Sequence, residues 1–162
     1  MQDLIRKSLK KGLLGANAHR NTREVVKNLT PEMARMKTNN FHSSWELLHH
    51  IVVWQEAIID GIEGKKVNWK KIGQKFNWPS PEQMAENGNF FELVEKFTRG
   101  LNKAEKLIES TDLTKIVHLW EDISGFEAIL GLLQHNSYHV GQIITVRKML
   151  NIWHLKDWVL ED

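Results

Sequence analysis

The sequence predicts an all-α domain, most simply a four-helix bundle. Apolar residues recur at helical spacing in four long stretches, near 3–14, 44–61, 89–110 and 125–150. Two of these stretches open on a Ser-x-x-Glu capping box, Ser43 with Glu46 and Ser124 with Glu127. The short run Lys115-Ile116-Val117-His118-Leu119-Trp120 reads as one strand or an extended connection, and no second strand offers itself as a partner.

The first helix follows from Leu4, Ile5, Leu9 and Leu13, with Gly12 and Gly15 weakening it near its end. A shorter helical piece is expected around 22–28. Thr30-Pro31 opens a further turn, with proline at the first helical position, where its missing N–H costs nothing. The Ser43 box starts a helix that runs to about Gly61. Residues 62–88 are the least regular, with Gly64, Gly73, Trp78-Pro79 and Gly88, although Ser80-Pro81-Glu82-Gln83 suggests a short helix. Phe90, Leu93, Val94, Phe97, Leu101, Ala104, Leu107 and Ile108 predict the third long helix. The Ser124 box starts the last one, which runs to about Leu150. No internal repeat is present, and residues 1–162 read as a single domain.

Composition narrows the function. The net charge of +2 offers little attraction for phosphates, which argues against nucleic acid as a partner. Arg6, Lys7, Lys10 and Lys11 read as a solvated helix face, since no aromatic residues interleave with them. The chain has no cysteine, which excludes disulfides, Cys-ligated zinc and an internal thiol nucleophile. Any thiol chemistry must use a thiol that arrives from outside. There is no signal-peptide pattern and no stretch of membrane-spanning length, so a cytoplasmic protein without a membrane partner is expected. Seven tryptophans, Trp45, Trp54, Trp69, Trp78, Trp120, Trp153 and Trp158, supply core packing and interface, and some of them a pocket wall.

The most informative segment is Gln134-His135-Asn136-Ser137-Tyr138-His139-Val140-Gly141-Gln142. An i, i+4 histidine pair projects from one helix face and aims two imidazoles at one point. The stripe continues through Leu132, Ile143, Val146 and Leu150, so the pair points inward, where a shared metal ion is the usual reason for two imidazoles. Such a pair can also arise by chance on a surface, and this chain has eight histidines. The candidate third ligand is His50, which shares a helical face with Leu47, Ile51, Trp54 and Ile58. His49 is rotated from it by about 100° and falls at the edge. Three histidines leave a coordination position open to water or substrate.

Two familiar metal motifs are absent. Asn136 stands where a His-Glu-x-x-His protease has its glutamate. A ferritin-like di-iron site needs two Glu-x-x-His units, and Glu46-Leu47-Leu48-His49 is the single one present. A mononuclear three-histidine site remains, with imidazoles that suit Zn, Ni, Fe or Cu.

The segments His42-Ser43-Ser44-Trp45-Glu46-Leu47-Leu48-His49-His50-Ile51 and His135-Asn136-Ser137-Tyr138-His139-Val140-Gly141-Gln142-Ile143 resemble those of the DinB/YfiT-like metalloenzymes, and the order of helices agrees over nearly the whole chain. The resemblance implies a four-helix bundle with up-down-down-up connectivity. It also implies a divalent metal on three histidines that fall on His50, His135 and His139, and Zn, Ni or Fe is expected there. Further implications are homodimers and, in some members, a low-molecular-weight thiol activated by the metal for transfer or isomerisation. Asn17-Ala18-His19 and the Trp78-Pro79 loop resemble features of one branch of the family.

The expected function is a metal-dependent transferase or hydrolase acting on an unidentified small molecule, with thiol or water activated at the metal. The alternative from another class is a metal- or ligand-binding stress-response module without turnover. His19 is a candidate base reaching in from the first helical region, and Gln142, one turn past His139, a candidate for orienting a ligand.

Overall fold

A computed structural model describes residues 1–16 and 19–153. The elements in chain order are α1 (Gln2–Leu14), a 3-10 turn (Thr22–Val26), α2 (Pro31–Arg35), α3 (Ser44–Ile62), α4 (Trp69–Lys71), which continues into a π turn (Ile72–Phe76), α5 (Pro81–Ala85), α6 (Asn87–Ser110), strands β1 (Ile116–His118) and β2 (Asp122–Ser124), and α7 (Gly125–Met149). Among the described residues no helix is long and apolar enough to cross a membrane.

Local chemistry sets the helix ends as expected. Ser43 Oγ accepts from Glu46 N–H, and the Glu46 carboxylate accepts from Ser43 N–H at 2.7 Å. The box at Ser124 and Glu127 repeats this arrangement, as does a third at Ser80 and Gln83. Thr30 accepts from Met33 N–H ahead of Pro31. Gly15 ends α1 with φ of 78°, a left-handed conformation that glycine adopts without a Cβ clash. At the far end of α6, Arg6 donates to the carbonyls of Ile108 and Thr111, and Lys10 pairs with Glu109. The basic face of α1 therefore satisfies the orphan carbonyls of a neighbouring helix terminus.

The four long helices, α1, α3, α6 and α7, enclose one core. α3 and α1 each pack against both α6 and α7. Trp45 lies on Phe90, Gln55 reaches Phe97, and Lys103 pairs with Glu63, so α3 and α6 run the same way. His50 meets His139 while Gly61 meets Leu119, just ahead of α7, so α3 and α7 run in opposite directions. α6 buries one stripe, Phe90, Leu93, Phe97, Leu101, Ala104 and Ile108. α3 is buried around most of its circumference because it has neighbours on two sides, which makes it the rigid element for carrying a site.

The region after α6 corrects the sequence expectation. β1 does have a partner: Ile116 pairs with Ser124, Val117 with Ile123 and His118 with Asp122 in an antiparallel hairpin. The second strand is three residues long and shares Ser124 with the capping box of α7, so it has no pattern of its own. At the end of α7, Arg147 is fully buried and donates to the carbonyls of Val25, Lys27 and Ile152, with its guanidinium over the Trp153 ring. It ties the 3-10 segment and the chain after α7 to the bundle.

Candidate metal centre

α3 and α7 face each other along the bundle, and the site forms midway along their contact. His50 stands on the buried stripe of α3 and is 8 % exposed. His135 and His139 stand one turn apart on α7, on either side of buried Asn136 and next to buried Val140. His50 Nε2 lies 3.1 Å from His135 Nε2. The His139 ring centroid is 4.4 Å from that of His50 and 4.6 Å from that of His135. One ligand atom from each of the three lies within 4.8 Å of the other two. The structure thus brings together the three histidines singled out in the sequence.

Electrostatics keeps the cluster uncharged. Burial pushes His50 down to about 4, with neighbouring His139 adding to the effect. Burial pushes His135 to about 4 as well, assisted by His139 and His50. His139 is lowered too, again mainly by burial, against the opposing hydrogen bond from Gln142. All three rings are therefore neutral at neutral pH, the state in which an imidazole offers a lone pair to a metal.

The donor set fits a divalent cation. Two nitrogens on a tetrahedral ion with bonds of ~2.0–2.1 Å stand ~3.3 Å apart, and cis nitrogens on an octahedral ion ~3.0 Å. The 3.1 Å between His50 and His135 falls between these values. The third ligand atom, on His139, lies within 4.8 Å of the other two. His50 Nδ1 and His135 Nδ1 are buried without a hydrogen bond of normal geometry. No carboxylate among the described residues hydrogen-bonds any of the three rings.

Aromatic groups wall the site. The Trp78 ring stacks on His50 at 4.7 Å and on His42 at 3.7 Å. Trp54 flanks both His50 and His135 at about 6 Å. The π turn and the residues after it bring this wall into place: Trp54 Nε1 donates to Asn77 Oδ1 at 2.7 Å, and His49 Nε2 contacts Phe76 O at 3.0 Å. Tyr138 stands edge-on to His139 and is exposed.

Other candidates fall elsewhere. His49 turns away from the cluster, as its position on the helix implied. Glu46 is committed to its capping box and to Lys37; burial alone would raise its carboxyl, but those partners hold it below its ordinary value. His19 does not join the three rings. Its Nε2 contacts Ser137 Oγ at 3.1 Å and its Nδ1 contacts the Arg20 carbonyl. Asn17, Ala18 and Trp158 lie outside the described residues. Gln142 sits against His139: its Oε1 is 2.6 Å from His139 Nδ1. The sequence reading gave some tryptophans a pocket wall without singling out Trp78, which lies in an irregular segment without periodicity.

The family model for the DinB superfamily matches residues 16–143. The chain belongs to the DinB superfamily. Its fold is similar to that of a DinB-like protein from Bacillus cereus, a crystal structure with 18 % sequence identity and a TM-score of 0.53 over 85 % of this chain and 88 % of that one. No curated protein matches the chain. DinB membership covers both segments that carry the three histidines, and the all-α DinB-like fold agrees with the expected fold class.

Proposed function

We propose that His50, His135 and His139 hold one divalent metal ion, and that the protein is a metal-dependent enzyme of the S-transferase or hydrolase type. One observation carries this reading. Three imidazoles from two helices converge in a half-buried position, are kept neutral by burial, and have no carboxylate partner among the described residues. Bound there, a divalent ion would supply Lewis acidity, lowering the pKa of a thiol or water at an open position. The chain's own part is to hold three neutral donors on two packed helices and to exclude water with Trp54 and Trp78. Among the described residues no carboxylate base adjoins the rings, which favours a reacting group acidic enough to be deprotonated by metal coordination itself, as a thiol is. A low-molecular-weight thiol is therefore the proposed co-substrate, in the cytoplasm, where such thiols stay reduced.

The same absence supports the alternative, a metal-bearing binding module without turnover. Cobalt substitution separates the two. The Co-loaded protein should change its visible spectrum on addition of small thiols or azide if a coordination position is open. A spectrum indifferent to every added ligand would indicate a closed site and favour the binding module.

A second copy of the chain is the proposed macromolecular partner. Support comes from the family resemblance and from an apolar groove between α1 and α7 lined by Leu4, Ile5, Leu9, Phe126, Leu130 and Leu133, with Leu4 69 % exposed.

A further inference from the structure

Each histidine has two nitrogens, and a neutral imidazole can ligate only through the one that lacks a proton. At His139 the chain itself makes that choice. Nδ1 lies 2.6 Å from Gln142 Oε1, a carbonyl oxygen that can only accept. Nδ1 must therefore carry the hydrogen, and Nε2 is left with the lone pair. With the amide in this orientation, Gln142 Nε2 donates to the Tyr138 hydroxyl at 3.3 Å. If the amide were turned over, its NH2 group would donate to Nδ1 and move the proton to Nε2, away from metal binding. Tyr138 also stands edge-on to the His139 ring at 4.9 Å. Tyr138 and Gln142 thus contact His139 on α7 from outside the three-histidine cluster.

His139 differs from its two partners in this respect. Neither His50 Nδ1 nor His135 Nδ1 has a hydrogen bond of normal geometry. These two rings pack against Trp78 and Trp54 and meet each other through Nε2 at 3.1 Å, with Asn77 beside His50 and Asn136 beside His135. Among the described residues, His139 alone of the three has a side-chain acceptor on Nδ1. We infer that Gln142 is a positioning residue that holds His139 as the Nδ1–H tautomer and so makes Nε2 its metal-ligating atom. This inference rests on the three-histidine reading, and it gives Gln142 the task that a carboxylate or backbone carbonyl performs behind the histidines of other metal sites.

The tautomer can be read without metal, which separates this inference from the site itself. In metal-free protein at pH 7, the 15N shifts of His139 should show a protonated Nδ1 in the wild type and a mixture of tautomers in Gln142→Met. Zinc affinity, measured by competition with a chromophoric chelator, should fall by about 10–100-fold in Gln142→Met. Gln142→Glu keeps an acceptor at the same reach and should bind zinc at least as tightly as the wild type. Gln142 is partly exposed, so neither change opens the core. A wild-type His139 protonated on Nε2, or a Gln142→Met protein with unchanged zinc affinity, would overturn the inference. Wild-type protein that binds no zinc, nickel or iron, yet shows the Nδ1–H tautomer, would instead overturn the three-histidine reading and leave the Gln142 hydrogen bond standing.

Discussion

Asn136 donates its side-chain amide to Gln55 Oε1 at 2.9 Å across the α3–α7 contact, and both residues are buried. Gln55 in turn donates to the Phe97 carbonyl on α6 at 3.2 Å. This amide relay crosses three helices one residue away from His135. Gly100 makes room for it: a Cβ there would come within 1.8 Å of Gln55 Nε2. A polar chain in an apolar core fixes one register between helices, because any slip leaves amides unpaired. That register is the one in which His50 meets His135 and His139.

The relay should therefore respond non-additively to substitution. Gln55→Leu leaves the Asn136 amide unpaired and should cost about 1–3 kcal/mol in urea unfolding. Adding Asn136→Leu removes the unpaired group, so the double variant should lose less than the sum of the single losses. Gly100→Ala should destabilise the fold by about 1–3 kcal/mol, because the buried Gln55 side chain must move aside.

Loss of the first capping box should weaken the helix that carries His50. Ser43→Ala removes the acceptor for Glu46 N–H and should cost about 1 kcal/mol, read as a lower thermal midpoint. Ser137→Ala, on α7 but outside the cluster, removes the contact to His19 and should leave metal binding unchanged in a chelator titration.

The metal-free protein should lose stability in acid. His50 and His135 titrate near 4 in the folded chain and near 6.5 once burial is lost. The unfolded state therefore takes up protons first as pH falls below about 6.5, and folding weakens until the folded rings protonate near 4. Urea midpoints of metal-free protein should fall between pH 7 and pH 5, and fall less in His135→Leu. Equal drops in both proteins would contradict the assignment of neutral buried rings.

Local signals made most of the frame legible. Capping boxes are satisfied within four residues of chain, so Ser43, Ser80 and Ser124 mark helix starts whatever the tertiary structure. The inward face of His50 was legible because Leu47, Ile51 and Ile58 share its stripe. The partners that complete the site were not legible. Gln55 lies on the same stripe, but only its contact with Asn136, 81 residues away, shows why a polar group belongs there. Trp78 reaches His50 through a π turn and a loop, which have no periodicity to read. His19 could have reached the cluster on sequence grounds; the chain instead sets it against Ser137.

Self-association should be visible in solution. Sedimentation at micromolar protein should show a dimer, and Phe126→Lys, in the apolar groove between α1 and α7, should shift it to monomer. A wild-type protein that is monomeric throughout would remove the second copy as partner.

The most direct test of the central claim is metal stoichiometry after reconstitution, measured by elemental analysis on wild type, His50→Ala, His135→Ala, His139→Ala and His49→Ala. The three-histidine centre predicts about one divalent ion per chain in wild type and His49→Ala, and a loss of more than tenfold in affinity in the other three. Metal content and affinity unchanged in His135→Ala and His139→Ala would contradict it.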